Sequence, residues 1–327
     1  MERVLITGAS GFVGFHLIEA ALKNNLEVFA AVRESSDVAQ LKQFYIQYTY
    51  PNFENVDSLI KELEEKQYTY IIHAAGTTKA KTAEAYNLVN ADYTYNLALA
   101  ITKANIRLKK FVFISSLAAL GPAQLGEIIE DNKPHSPVSA YGLSKSFAEQ
   151  KLALLTSFPL ITIRPTAVYG PRDKDIYILL KKISQGIEPY LGKIDQQLSF
   201  VYVKDLAAVT IQALFSNVTH NAYNISDGNA YDRYELADLT KLILHKKTIK
   251  MHLPLLLVRI LANILAYLYG NRKDTPALNP EKLGELTAPN WACSIEHAKT
   301  DLGYLPKYNL HLGLTETLKW YQKNGLI

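Results

Sequence analysis

The stretch Val4-Leu5-Ile6-Thr7-Gly8-Ala9-Ser10-Gly11-Phe12-Val13-Gly14 constrains this chain more than any other. An apolar run stopped by Thr7-Gly8 reads as a short buried strand. From Phe12 to Leu22 apolar residues recur at helical spacing, and Asn24-Asn25 end the pattern. Between strand and helix, glycines stand at intervals of three. Gly8 permits a tight turn, Gly11 lets the backbone approach a bound group, and Gly14 lets the helix pack closely on the strand. The helix N-terminus then offers free N–H groups and partial positive charge to a pyrophosphate. Spaced glycines alone fit a plain surface turn equally well. Their place after a buried strand and before an apolar helix selects dinucleotide binding, and the lack of a following Gly-Lys-Ser/Thr excludes a P-loop.

The alternation continues. Strands are expected at Val28–Val32, near Phe44–Tyr48, at Ile71-Ile72, at Phe111–Ile114 and at Ile161–Ile163, separated by helical patterns. Such βαβ units with right-handed crossovers build a doubly wound parallel sheet covered on both faces, an α/β fold. Its ligands bind outside the carboxyl ends of the strands, so Gly8–Gly14, Arg33–Ser36, His73–Gly76, Ser115-Ser116 and Pro165–Gly170 are expected to converge. Beyond Gly170 the pattern loosens, with Pro171, Pro189, Pro254, Pro276, Pro280, Pro289 and Pro306. A strand at Phe200–Val203 and a helix from Leu206 to Leu214 are expected to return to the main sheet. The division is therefore residues 1–165 with about 197–218 as a nucleotide-binding domain, and 166–196 with 219–327 as a smaller C-terminal substrate lobe.

The end of the second strand selects the cofactor. Folds that prefer NAD usually place a carboxylate there for the ribose hydroxyls. Here Arg33 stands at that point, and a guanidinium suits the 2′-phosphate of NADP through two parallel charge-assisted hydrogen bonds. The plain alternative is a solvated arginine paired with Glu34. NADP is favoured and NAD remains open.

Tyr141-Gly142-Leu143-Ser144-Lys145 sets a phenol and an ammonium one turn apart on a helix face. A phenol with a pKa of about 10 is a poor base at neutral pH. A nearby cation favours its ionised form. The same spacing recurs at Tyr177/Lys181 and Tyr269/Lys273, which read as structural because neither has a serine strand end behind it. The first pair has Ser116, at the end of Phe111–Ile114, and the loop with Pro122, Pro134 and Pro137 can fold it back towards Tyr141. Ser116 then hydrogen-bonds the oxygen on which charge develops.

These features together, with His73-Ala74-Ala75-Gly76 and Arg164-Pro165-Thr166-Ala167-Val168-Tyr169-Gly170-Pro171-Arg172, resemble the extended short-chain dehydrogenase/reductase family, the NAD(P)-dependent epimerase/dehydratase superfamily. The likeness runs on through Phe200-Val201-Tyr202-Val203-Lys204-Asp205 and Tyr223-Asn224-Ile225-Ser226-Asp227-Gly228 to Leu302-Gly303-Tyr304-Leu305-Pro306 and Trp320-Tyr321. It implies a Rossmann-type domain with a smaller lobe, a catalytic triad of Ser116, Tyr141 and Lys145, and a homodimer through the Tyr141 helix. Cofactor contacts are implied at Gly8, Ser10, Gly11, Phe12, Val13, Gly14, Arg33, Asn52, Phe53, Ala74, Ala75, Gly76, Pro165 and Val168, besides Tyr141 and Lys145. Asn90 matches a family asparagine, or is a helix residue bonding locally.

Departures from the family pattern narrow the chemistry. Asn52-Phe53 stand where an adenine-binding aspartate is usual, and an amide oxygen can accept the same bond. Leu117-Ala118-Ala119 after Ser116 offer no acid for eliminating water, which argues against a dehydratase. Ala167 replaces the asparagine of many nucleotide-sugar epimerases. With Arg33 and Arg164-Pro165 it looks closer to the dihydroflavonol reductase and 3β-hydroxysteroid dehydrogenase branch, which handles hydrophobic ketones and alcohols. Arg172 can grip a diphosphate or pair with Asp173.

His252 to Tyr269 is rich in leucine and isoleucine, broken by Pro254 and Arg259 and flanked by Lys246, Lys247, Lys250, Arg272 and Lys273. Arg259 near its middle argues against a membrane span. The segment reads as an amphipathic helix buried in the lobe, or as a lipophilic lid or weak membrane-surface contact.

A net charge of +4 without a dense basic run argues against nucleic acid as a partner. The single Cys293 forms no internal disulfide, no Cys/His cluster has metal spacing, and only Val4-Leu5-Ile6 precede the glycine turn, far short of a secretory apolar region. The expectation is a cytoplasmic, metal-free NAD(P)-dependent oxidoreductase with a small hydrophobic substrate. A nucleotide-sugar epimerase is the alternative, and a non-enzymatic dinucleotide sensor stands behind both.

Overall fold

The computed structural model describes residues 1–268 and 280–327. Tyr269, Arg272, Lys273 and Pro276 lie outside the described residues. The first half runs β1 (Arg3–Thr7), α1 (Phe12–Lys23), β2 (Glu27–Ala31), β3 (Gln47–Thr49), α2 (Val56–Lys66), β4 (Tyr70–His73), α3 (Ala83–Asn87), α4 (Tyr93–Lys103), β5 (Lys110–Ile114), α5 (Ala140–Ala153) and β6 (Leu160–Pro165). It continues through β7 (Ala167–Tyr169), α6 (Ile176–Ser184), β8 (Ile187–Leu191), β9 (Gln197–Leu198), β10 (Phe200–Tyr202), α7 (Val203–Phe215) and β11 (Asn221–Ile225). Then come β12 (Tyr231–Asp232), α8 (Glu235–Leu244), β13 (Ile249–Leu253), α9 (Leu255–Leu268), α10 (Pro280–Leu286), α11 (Glu296–Leu302) and α12 (Leu310–Lys323).

Seven parallel strands form one sheet in the order β11-β6-β5-β4-β1-β2-β3. The sheet is Rossmann-type, and its strands read as near-continuous apolar runs because both faces are covered. Alternation sorts their side chains. Val4, Ile6, Val28, Ile72 and Val112 face α1, α7 and α11, while Leu5, Phe29, Ile71, Phe111 and Phe113 face α2, α4 and α5. The chain winds outward from β1 in one direction to β3 and in the other to β11, so a crevice opens at the carboxyl ends of β1 and β4.

Three elements differ from the sequence reading. The third strand lies at Gln47–Thr49, because Phe44 closes a turn by donating its N–H to Leu41 O at 2.9 Å. Phe200–Tyr202 does not rejoin the main sheet. Among the described residues it pairs with β7 alone, since the chain leaves the sheet after Pro165 and Thr166 Oγ1 donates to Ser199 O at 2.8 Å. The seventh strand is instead β11, within the stretch assigned to the lobe. Its two asparagines mask its hydropathy, and Asn224, fully buried, donates its side-chain amide to Ile129 O at 3.0 Å.

The lobe has its own core, in which Tyr169, Leu180, Tyr202, Leu236, Leu314 and Tyr321 pack together. Its helix α10 reaches back to the sheet domain at a close approach. A Cβ on Gly284 would lie 2.5 Å from Val138 O, just before α5.

Candidate active site

The glycine turn is built on backbone approach. Gly8 holds φ +68°, and a Cβ there would lie 2.5 Å from Ala74 O, so the turns after β1 and β4 touch. A Cβ on Gly14 would lie 2.2 Å from Gly8 O. Gly11 N donates to Gly8 O at 3.0 Å and caps α1 with no side chain and no acid in its first turn, leaving the helix end to an anion. Phe12 and Val13 open α1, and Val13 is half-buried against the sheet core. Ser10 O accepts from Gln40 Nε2 at 2.8 Å.

A buried relay fixes the next turn. Ala75 N donates to Thr7 Oγ1 at 3.0 Å, and Thr7 Oγ1 lies 2.8 Å from His73 Nδ1. His73 Nε2 lies 2.9 Å from Thr94 Oγ1, whose hydroxyl donates to Asn90 O at 2.7 Å. Since the Thr94 proton is committed to Asn90, the ring must donate from Nε2 and accept at Nδ1. Burial agrees, drawing the imidazole down to about 3 and keeping it neutral. Asn90 sits in a π-helical turn, Leu88–Asp92, with Oδ1 accepting from Thr77 N at 2.7 Å and Nδ2 donating to Ser144 Oγ at 2.9 Å. It therefore ties the turn after β4 to α5, a role wider than a local helix contact. A Cβ on Gly76 would lie 3.0 Å from Asn90 Oδ1 and 3.3 Å from Lys145 Nζ.

Helix α5 starts at the cap Ser139, whose Oγ accepts from Gly142 N at 2.9 Å. Ser116 caps the short turn Leu117–Ala119, accepting from Ala118 N at 3.2 Å. A Cβ on Gly142 would lie 2.5 Å from Ala118 O, so this glycine lets Tyr141 reach Ser116. The two side chains face each other, near enough for the Ser116 hydroxyl to favour the ionised phenol. Tyr141 packs edge-on against buried Tyr86, centroids 6.3 Å apart. Burial pushes its phenol well above the ordinary value, against the pull of the Ser116 side chain, with Glu285 and Asp175 adding in the same direction as burial. Lys145 is buried, donates to Ile114 O at 2.9 Å and lies 4.9 Å over the Phe113 ring. Burial draws its ammonium down to about 8.

Behind α5, buried Glu149 accepts from Arg164 Nε at 3.0 Å and Nη2 at 2.6 Å and from Ser115 Oγ. Arg164 thus serves as a brace between β6, β5 and α5, and Pro165 ends the strand, buried, beside half-buried Val168. Sequence reasoning found neither this brace nor the role of Gly142, although a glycine inside a helical pattern is a signal of close approach.

The remaining positions spread along the same edge. Arg33 is exposed after β2, its N–H on Ser36 Oγ at 3.1 Å, and among the described residues its guanidinium has no ion pair with Glu34 or any other acid. Asn52 is exposed, with Oδ1 accepting from Glu54 N at 3.0 Å, and Phe53 stacks on Tyr93 at 6.4 Å. Arg172 does not pair with Asp173. It donates to Gln40 Oε1 at 2.9 Å and lies 3.9 Å over the Phe15 ring, while Asp173 caps α6. Lys181 donates to its own Tyr177 at 3.0 Å on the surface, a local contact. No group of three or more metal-ligating side chains occurs among the described residues.

A doubly wound sheet whose switch point carries a backbone cradle, with a serine, a tyrosine and a lysine at the next strand end, defines a nicotinamide-dinucleotide enzyme of the extended short-chain type. The chain belongs to the NAD dependent epimerase/dehydratase family, whose model matches residues 4–226. It is 28% identical to the UDP-glucose 4-epimerase of Vibrio cholerae, over 97% of this chain and 94% of that one. It is 27% identical to the ceramide reductase of Caulobacter vibrioides, over 98% and 95%. The dTDP-glucose 4,6-dehydratase of Bacillus anthracis, solved in complex with NAD, shares the fold with a TM-score of 0.79 at 20% identity, over 99% and 97%.

Proposed function

We propose that the protein is an NADP-preferring oxidoreductase acting on a hydrophobic ketone or secondary alcohol. The observation that carries this reading is the buried Tyr141 phenol beside the Ser116 side chain, with buried Lys145 one turn along the same helix.

A dinucleotide fits the cradle, because Gly8 and Gly14 keep backbone open where any Cβ would strike a carbonyl. Gly8, Ser10, Gly11, Phe12, Val13 and Gly14 would hold its pyrophosphate, with Asn52 and Phe53 at the adenine. Ala74, Ala75, Gly76, Pro165, Val168 and Lys145 would hold the nicotinamide half. Arg33, exposed and unpaired among the described residues, would take the 2′-phosphate of NADP. Such a nicotinamide supplies or accepts a hydride. With its pKa raised by burial, Tyr141 holds its proton at neutral pH and is set to donate it to a ketone oxygen. Ser116 hydrogen-bonds that oxygen, and the Lys145 charge stabilises the phenolate left behind.

Leu117, Ala118 and Ala119 are buried and offer no acid beside Ser116, which speaks against dehydration. A hydrophobic substrate is supported by the ceramide reductase relative, whose name carries such a substrate. A nucleotide-sugar epimerase is the second reading, favoured by the Vibrio cholerae relative. It uses the same three side chains and regenerates its cofactor in each turnover. Incubating the protein with NADPH and a panel of ketones, and separately with UDP-sugars, distinguishes the two. Net loss of NADPH absorbance supports the first reading, and epimer formation without net loss overturns it in favour of the second.

A further inference from the structure

We infer that the outer face of β8, β13 and α9 docks the enzyme on an anionic lipid bilayer. The parallel pair β8/β13 has two unlike faces. On one, Lys250 lies 3.6 Å from fully buried Glu188 and His252 stacks on Tyr190 at 5.4 Å, so this face is packed into the lobe. On the other stand Ile187, Ile249, Met251 and Leu253, all exposed, Ile249 by 73%. Leu191 belongs to that same outer face and packs with Val258, Ala262 and Leu283, which sets α9 beside the uncovered strand residues.

Helix α9 is amphipathic in the inverted sense. Val258 and Ala262 form its narrow buried stripe. Leu256, Leu257, Ile260, Leu261 and Ile264 are 47% to 70% exposed. At 3.6 residues per turn these five lie within one arc of about 140°. A soluble surface helix turns such an arc inward. Strand and helix together make one apolar surface of a kind that marks an interaction site.

Charge selects the occupant. From Leu239 to Lys273 the sequence contains no Asp or Glu, and Arg259 on α9 has no ion pair among the described residues; nor have Lys246 and Lys247, just before β13, although they share a cavity with Glu188 and Asp238. An apolar face carried on a segment that has unpaired cations and no acids complements lipid tails beneath anionic headgroups. Among the described residues no helix is long and apolar enough to cross a membrane, and α9, with 14 residues, fits a surface-lying geometry. The inference does not depend on which substrate the enzyme turns over, because its test reads binding.

The test is flotation of the full chain with phosphatidylglycerol/phosphatidylcholine vesicles and with pure phosphatidylcholine vesicles, at low and high salt. Wild type is expected to float with the anionic vesicles and to lose most of that binding at high salt. Leu257→Asp with Ile260→Asp should weaken partitioning by about tenfold or more, and Lys246→Glu with Lys247→Glu by about 25-fold or more on anionic vesicles only, at about fivefold per cation lost. Tyr141→Phe should float as wild type does. Circular dichroism checks that each variant is folded. Wild type left wholly in the soluble fraction overturns the inference. So does light scattering that shows a dimer abolished by Ile260→Asp, which would make this face a contact with a second copy of the chain.

Discussion

Replacing Lys145 with methionine is expected to stabilise the protein while removing its activity. Burial draws the Lys145 ammonium down to about 8 from its ordinary 10.5. Carrying that charge at pH 7 in the fold rather than in the unfolded chain costs about 3 kcal/mol, at about 1.4 kcal/mol for each tenfold change in proton affinity. Methionine fills similar space without charge, but gives up the bond to Ile114 O at 2.9 Å, worth about 1 kcal/mol. The net expected gain is about 1–2 kcal/mol at pH 7, a rise of about 1.5–3 °C in Tm for a chain of this length. The pH dependence carries the decisive sign. Because the folded value lies below the unfolded one, the unfolded chain binds more protons between about 8 and 10.5, and wild-type stability from this group climbs with pH through that window. The variant's advantage is therefore full below 8 and gone by about 10.5. Urea denaturation of both proteins near pH 7 and near pH 10 measures it. A variant less stable at pH 7, or an advantage that does not shrink with pH, would refute a buried charge retained for function at the expense of stability.

Tyr141→Phe should lower kcat by about 10²–10⁴-fold, far more than it weakens cofactor binding in a fluorescence titration, since the proton-carrying hydroxyl is removed while the rest of the cofactor cradle stays. Arg33→Ala should raise KM for NADPH by about 10–100-fold and leave KM for NADH nearly unmoved, and equal effects on both cofactors would remove the 2′-phosphate role. Arg164→Met leaves Glu149 buried without its partner and should destabilise the fold by about 3–5 kcal/mol in urea denaturation, with activity falling only as folding is lost.

The parts of the site legible in the sequence are those in which adjacent residues share one task. Gly8, Gly11 and Gly14 lie in one turn, and Tyr141 and Lys145 lie one turn apart on a helix, so spacing exposes them. Arg172 shows the opposite case. Its chain neighbour Asp173 is turned to cap α6, and the guanidinium finds Gln40 from the other half of the sheet domain. The Glu149–Arg164 brace and the Thr7–His73–Thr94 relay join residues far apart in the chain, and no local pattern announces either. Strand β11 escaped notice because two asparagines interrupt its apolar run, and the Asn224 amide finds Ile129 O only once the chain is folded.

The sequence by itself determined the doubly wound sheet and the glycine turn and singled out Ser116, Tyr141 and Lys145 as candidates, because periodicity and turn chemistry are properties of neighbouring residues. Tertiary structure decided how deep Lys145 is buried, which tautomer His73 holds and which side of α9 faces outward. Each of these is set by what lies on the other side of a contact, and desolvation and hydrogen bonding act across space without regard to position along the chain.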